Sequence, residues 1–222
     1  GPTSFGDSPY QALSAFAGNP YFIDLEGLIE EGLLTKEEVE ASDYGDTPEY
    51  VQYDKIYESR FPLLKKAYLK WKTTVYDRDE NIRTAFQTFN QEQAEWLDNY
   101  ALYMACKIHF GQLEWAKWDM DIRMRTPQAV QKYTELLEDE IRYWKFLQYR
   151  FAAEWKTLKN YANERQIEII GDIPLYVSYD SADVWAQPEL FQLNENLQQT
   201  SVAGCPPDAF SDDGQKWGNP LY

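Results

Sequence analysis

The chain has 222 residues, 44% of them hydrophobic and 26% charged, with 37 acidic side chains against 21 basic ones and a formal charge of −16. Binding a phosphate backbone needs a cationic face, so nucleic acid is excluded as a partner; an anionic membrane surface is disfavoured for the same reason, whereas a neutral ligand or plain solubility fits. No segment approaches the roughly 20 uninterrupted apolar residues of a membrane span.

The start, GPTSFGDSPY, has neither the basic nor the apolar region of a secretion leader. It lacks a Met and opens on a Gly/Pro/Ser loop, which reads as a cut through a longer chain. Cys106 and Cys205 stand far apart with no paired Cys or adjacent His. They form neither a zinc motif nor a disulfide framework, so no metal is expected and a reducing, cytoplasmic compartment fits.

Residues 1–20 read as irregular, because Gly1, Pro2, Gly6, Pro9, Gly18 and Pro20 recur too often for a helix or a central strand. Thr35 with Glu38 three positions on is a capping-box signature. Thr47–Pro48 predicts a helix start. Val51, Tyr53, Ile56, Tyr57, Phe61, Leu64, Tyr68 and Trp71 then follow a 3.6-residue period over 49–74. Pro62 is expected to kink or split that helix.

Asn90 is placed to cap a helix with Ala94, Leu97, Ala101 and Met104 on its face, ending near Gly111. Thr126–Pro127 opens the longest periodic run, from Val130 through Trp144 and Trp155 to Ala162, with no Gly or Pro until Gly171. Read as one helix from Pro127 to Arg165 it would be about 60 Å long at 1.5 Å per residue, which points to a helical subdomain. Trp144 and Trp155, at helical spacing, read as core. Ile167–Ile170 and the apolar run to Val177 predict a buried parallel strand. Residues 178–222, rich in Asp, Asn, Gly and Pro, read as long ordered loops of the kind that carry function.

Generic catalytic motifs are absent: there is no phosphate loop, no G-x-S-x-G elbow and no metal-binding His pair. The single histidine, His109, stands at a helix C-terminus, where imidazole meets free carbonyls. Asp172 lies at the exit of the expected strand, where α/β barrels place their active sites; capping of the next turn is the competing reading. Gly204 to Tyr222 mixes prolines, acids, amides and aromatics, as a sugar site does, with aromatic faces for the C–H side of a pyranose and amides for its hydroxyls. A turn-rich surface loop anchored by Trp217 is the alternative.

Several segments, in order along the whole chain, carry a resemblance. They are Ser8-Pro9-Tyr10-Gln11, Ala15-Phe16-Ala17-Gly18-Asn19-Pro20, Glu95-Trp96-Leu97-Asp98-Asn99-Tyr100, Gly171-Asp172-Ile173-Pro174, Ser181-Ala182-Asp183-Val184-Trp185-Ala186, Pro206-Pro207-Asp208 and Trp217-Gly218-Asn219-Pro220-Leu221-Tyr222. Together they resemble the amylomaltase (disproportionating enzyme) family of 4-α-glucanotransferases, glycoside hydrolase family 77.

That resemblance implies an α/β fold: a partial (β/α)8 barrel with a large inserted α-helical subdomain, mostly α over this stretch. Residues 1–20 would be a barrel loop with cleft residues, 21–165 the helical subdomain plus barrel helices, and 166–222 a barrel strand and an active-site loop. The implied reaction is transfer of α-1,4-glucan segments between maltooligosaccharides with retention, using two carboxyl groups about 5 Å apart and no cofactor. Ser8, Tyr10, Asp172, Asp208, Gln215, Trp217 and Asn219 are implied as substrate contacts.

The family's nucleophile segment, Arg-Ile-Asp-His, and its acid/base segment, Ala-Glu-Asp-Leu-Gly, do not occur in these residues. The expectation is a piece of the enzyme that is inactive alone. A barrel cut after a few strands leaves exposed edges, so self-association, or a poorly ordered end segment, is expected as well. A non-catalytic α-glucan-binding module and a helical protein-interaction domain are the alternative functions.

Overall fold

The computed structural model describes residues 1–3, 5–47, 49–172 and 174–222. Among them the helices are α1 (Leu25–Glu30), α2 (Lys36–Glu40), α3 (Tyr53–Trp71), α4 (Glu80–Glu92), α5 (Ala94–His109), α6 (Met120–Arg123), α7 (Pro127–Leu136), α8 (Glu138–Glu164) and α9 (Ala182–Ala186). Two antiparallel strands, β1 (Val202–Cys205) and β2 (Gln215–Pro220), form a hairpin. The chain divides into two compact units. The first comprises residues 1–17, 96–141 and 171–222; the second comprises 18–95 and 142–170.

The second unit is helical around an aromatic core. Trp71 lies with its ring 4.8 Å from Phe146 and 5.2 Å from Phe86, and Tyr68 sits 5.5 Å from Tyr143 and 5.6 Å from Phe146. Such pairs add about 0.5–1.5 kcal/mol each beyond area burial. The capping box is formed: Thr35 N donates to Glu38 Oε2 at 3.0 Å, and Glu38 N donates to Thr35 Oγ1 at 3.3 Å. Gly18 passes against Phe151 so closely that an added Cβ would stand 2.1 Å from the ring.

Local readings fail here in four places. The helix expected after Thr47–Pro48 begins at Tyr53, with Val51 exposed ahead of it, and Pro48 lies outside the described residues. Pro62 does not split α3, because Leu63, Leu64, Ala67, Tyr68 and Trp71 are buried behind it and hold the helix together. Asn90 lies inside α4 and caps nothing. Trp144 is core as expected, but Trp155 is exposed on α8.

The first unit is built on α5, whose Leu97, Tyr100, Ala101, Tyr103, Met104 and Cys106 are buried. Tyr103, Trp118 and Trp185 form a ring cluster with centroids 5.4–5.9 Å apart. Thr126 caps α7 as predicted, accepting from Ala129 N at 3.3 Å, with Pro127 in the first turn. The long helix is not continuous, since Leu137 leaves helical geometry at φ −109°, ψ 19° between α7 and α8. His109 is the last residue of α5, as expected.

The predicted strand does not form over the described residues of 167–177, and Ile173 lies outside them. Ile170 is 94% exposed and Leu175 70%, the reverse of a buried strand. A run of β-branched residues has the propensity, but a strand exists only through the neighbours that complete its ladder. Residues 178–222, read as loops, also hold α9 and the β1–β2 hairpin.

Candidate functional site

Every residue singled out for binding lies in the first unit. Near the N-terminus, Thr3 bridges Ala12 and Leu13 N donates to Pro2 O at 2.8 Å, fixing the base of a turn. At its tip Gln11 N donates to Ser8 O at 3.0 Å and Tyr10 N to Ser8 Oγ at 3.3 Å. The ring of Tyr10 is thereby left 77% exposed. The turn's other side is held by the later chain: Ser178 N donates to Ala12 O at 3.0 Å and Ala182 N to Leu13 O at 2.9 Å.

Asn219 joins this turn to the hairpin. Its side chain is 1% exposed, and its Nδ2 donates to Tyr10 O and Val177 O, both at 2.9 Å. Gln11 Nε2 donates to Asn219 Oδ1 at 3.2 Å and to Trp217 O at 2.9 Å. Trp217 has its indole N–H donating to Gln215 Oε1 at 3.0 Å, and its ring lies 6.2 Å from Tyr176. That ring is 43% exposed. Ser8, Tyr10, Gln215, Trp217 and Asn219 are thus brought onto one small region with Tyr176 and Val177.

Asp172 and Asp208 belong to other segments of the same unit. Asp172 is exposed at the head of the segment leading to Tyr176. Asp208 is exposed in the hairpin loop, where its Oδ1 accepts from Phe210 N and Ser211 N, both at 2.9 Å. It therefore shapes the loop.

β2 carries an irregularity where Trp217 sits. Val202 pairs with Pro220 and Gly204 with Lys216, so Trp217, Gly218 and Asn219 face Ala203 alone. Gly218 takes φ +81°, a left-handed conformation that glycine adopts without strain. Bulges of this kind re-aim side chains and are common beside binding sites.

Sequence reading passed over the polar residues that support this region. Asp180 accepts from Tyr103 Oη at 2.7 Å and Trp115 N at 3.1 Å, and pairs with the buried Lys107. Trp115 Nε1 donates to Tyr179 O at 2.8 Å, so the chain after Val177 is locked to α5 and to the turn that follows it. Burial and then Asp180 hold the Tyr103 hydroxyl far above the ordinary tyrosine range. Asp183 accepts from Ala15 N at 3.2 Å, and burial raises its carboxyl above the usual range despite that bond. Gln11 was within reach of sequence reading, being the amide next to Tyr10 in a segment already singled out. Nothing in the sequence marked Asp180. Among the described residues, no cluster of three or more His, Cys, Asp or Glu is placed to hold a metal, and no helix is long and apolar enough to cross a membrane.

A family model described as 4-alpha-glucanotransferase matches residues 1–222. The chain belongs to that family. It is 48% identical to the 4-alpha-glucanotransferase of Clostridium butyricum over 223 residues, covering 100% of this chain and 44% of the relative. The Thermus thermophilus enzyme is 44% identical over 222 residues, with 43% of its length covered. The amylomaltase from Streptococcus agalactiae, solved in complex with acarbose, superposes with a TM-score of 0.91 at 43% identity, covering 99% of this chain and 43% of that one. The chain therefore spans less than half the length of these 4-alpha-glucanotransferases.

Proposed function

We propose that this chain supplies one wall of the glucan cleft of a 4-α-glucanotransferase, which moves α-1,4-linked segments between maltooligosaccharides with retention of configuration. The observation that carries the reading is that two exposed aromatics, Tyr10 and Trp217, stand on segments that Asn219 and Gln11 stitch together. Flat rings with amide and acid neighbours are what a pyranose needs. The family membership and the acarbose-bound neighbour support the same ligand class.

In this reading the whole protein is a (β/α)8 barrel with an inserted helical subdomain over much of 21–165. The exposed Ile167–Ile170 run becomes a barrel strand when further strands pair with it. Asp172 then stands at that strand's exit, and Asp208 shapes the loop over the bound glucan. Residues 1–222 hold substrate contacts, while the nucleophile and acid/base belong to segments outside this stretch. Two free cysteines fit a cytoplasmic setting.

The test is calorimetric titration of the purified chain with maltoheptaose. Binding weakened but measurable in Trp217→Ala and unchanged in Trp155→Ala supports the reading; binding indifferent to Trp217 overturns it. Glucose release from maltotriose by the chain alone would contradict its division into contacts here and reacting acids elsewhere.

A further inference from the structure

We infer that Gln11, Gln199 and Asn219 are positioning residues: three side-chain amides that hold the 217–219 bulge, which carries Trp217, in one shape against the turn that carries Tyr10. The inference rests on the reading that these two rings meet the glucan, and it changes the part played by Asn219.

Asn219 is buried and its Nδ2 hydrogens go to two main-chain carbonyls, of Tyr10 and Val177, at 2.9 Å each. An amide so placed has no hydrogen left for a sugar hydroxyl. Its Oδ1 accepts from Gln11 Nε2 at 3.2 Å. A direct contact with substrate is therefore replaced by a structural one, which acts through Trp217.

The bulge explains why amides are needed. Three residues facing one cannot all keep ladder partners, and main-chain groups that lose them need others. Two bulge carbonyls are met by glutamines from two other segments, 206 and 19 residues away. Trp217 O accepts from Gln11 Nε2 at 2.9 Å, and Gly218 O accepts from Gln199 Nε2 at 2.9 Å. Each glutamine comes from a different segment, so the bulge is clamped from the Ser8–Gln11 turn on one side and the chain before β1 on the other. Gly218 at φ +81° supplies the bend; the amides choose which bend persists.

The experiment uses the 222-residue chain labelled with 5-fluorotryptophan. The Trp217 resonance is assigned by its absence in Trp217→Phe. In Asn219→Ala and Gln11→Ala it is expected to shift or broaden, while those of the buried Trp115 and Trp185 stay in place. Maltoheptaose affinity should fall about tenfold in Asn219→Ala, and adding that change to Trp217→Ala should cost nothing further. A Trp217 resonance unmoved in Gln11→Ala, Gln199→Ala and Asn219→Ala overturns the inference, as does a tenfold loss that persists in the Trp217→Ala background. If the chain binds no maltoheptaose, or binds it regardless of Trp217, the glucan reading fails and the resonance arm still decides the positioning role. Should Asn219→Ala unfold the chain, collapsing the Trp115 and Trp185 signals, the half-buried Gln11 and Gln199 variants carry the test.

Discussion

Gln148 grips the peptide of Gly18 at both ends: Gly18 N donates to Oε1 at 2.8 Å and Nε2 donates to Gly18 O at 3.0 Å. The amide is 2% exposed, so both bonds form away from competing water. Gln148→Leu keeps most of the volume and strands an N–H and a C=O, each costing about 1–3 kcal/mol when buried without a partner. A fall of about 2–4 kcal/mol in urea unfolding is expected. Gly18→Ala should be comparably harmful for a different reason, since its Cβ would meet Phe151 at 2.1 Å and overpacking costs about 1–3 kcal/mol.

Gly218→Ala tests the backbone of the bulge. No atom lies within 4 Å of the added Cβ, so any loss comes from forcing φ +81° on an L-residue, about 1–2 kcal/mol. Gly218→Asn should cost less, because Asn tolerates that region. Thermal unfolding of the two variants against the parent separates strain from steric conflict: equal losses would speak against a conformational cause.

Asp183 makes stability depend on pH with a definite sign. Burial raises its folded pKa above the unfolded value of 3.8, so the folded state holds the proton more tightly than the unfolded one. Its protonated form favours folding below pH 3.8, and that contribution is lost as pH rises through the folded pKa. Asp183→Asn removes the titration while keeping an acceptor for Ala15 N. The stability of the variant relative to the parent should therefore rise from pH 3.5 upward and level off above the folded pKa. A difference that is flat with pH, measured by urea unfolding, would rule out this account.

The two thiols should react unequally. Cys106 is buried and its pKa is pushed up to about 12 by burial, so it is neither accessible nor a thiolate at neutral pH. Cys205 is only part-buried, on β1. A disulfide reagent at pH 8 should titrate one thiol in the native chain and two in denaturant; two rapid native equivalents would mean that α5 opens readily.

Where structure is decided by neighbours in the chain, sequence was enough. The Thr35–Glu38 box and the Thr126–Pro127 start depend on side chains reaching at most three residues, and both are formed. The interruption at Leu137 carries no Gly or Pro to announce it. The Ile167–Val177 run shows the complementary failure: its apolarity is local, but a ladder is a property of two chains side by side. Ser8, Tyr10, Trp217 and Asn219 were singled out through a family resemblance, whereas the burial of Asn219 was not readable because its partners lie 209 and 42 residues away.

That separation governs when the Tyr10–Asn219 junction can exist. Closing a loop of about 200 residues is entropically costly and slow compared with helix formation. On a ribosome the Tyr10 turn emerges 209 residues ahead of Asn219. The helices between them can nucleate meanwhile, so the contact between the two segments is set after those helices, and a nascent chain stalled before the hairpin would display Tyr10 without its counterpart.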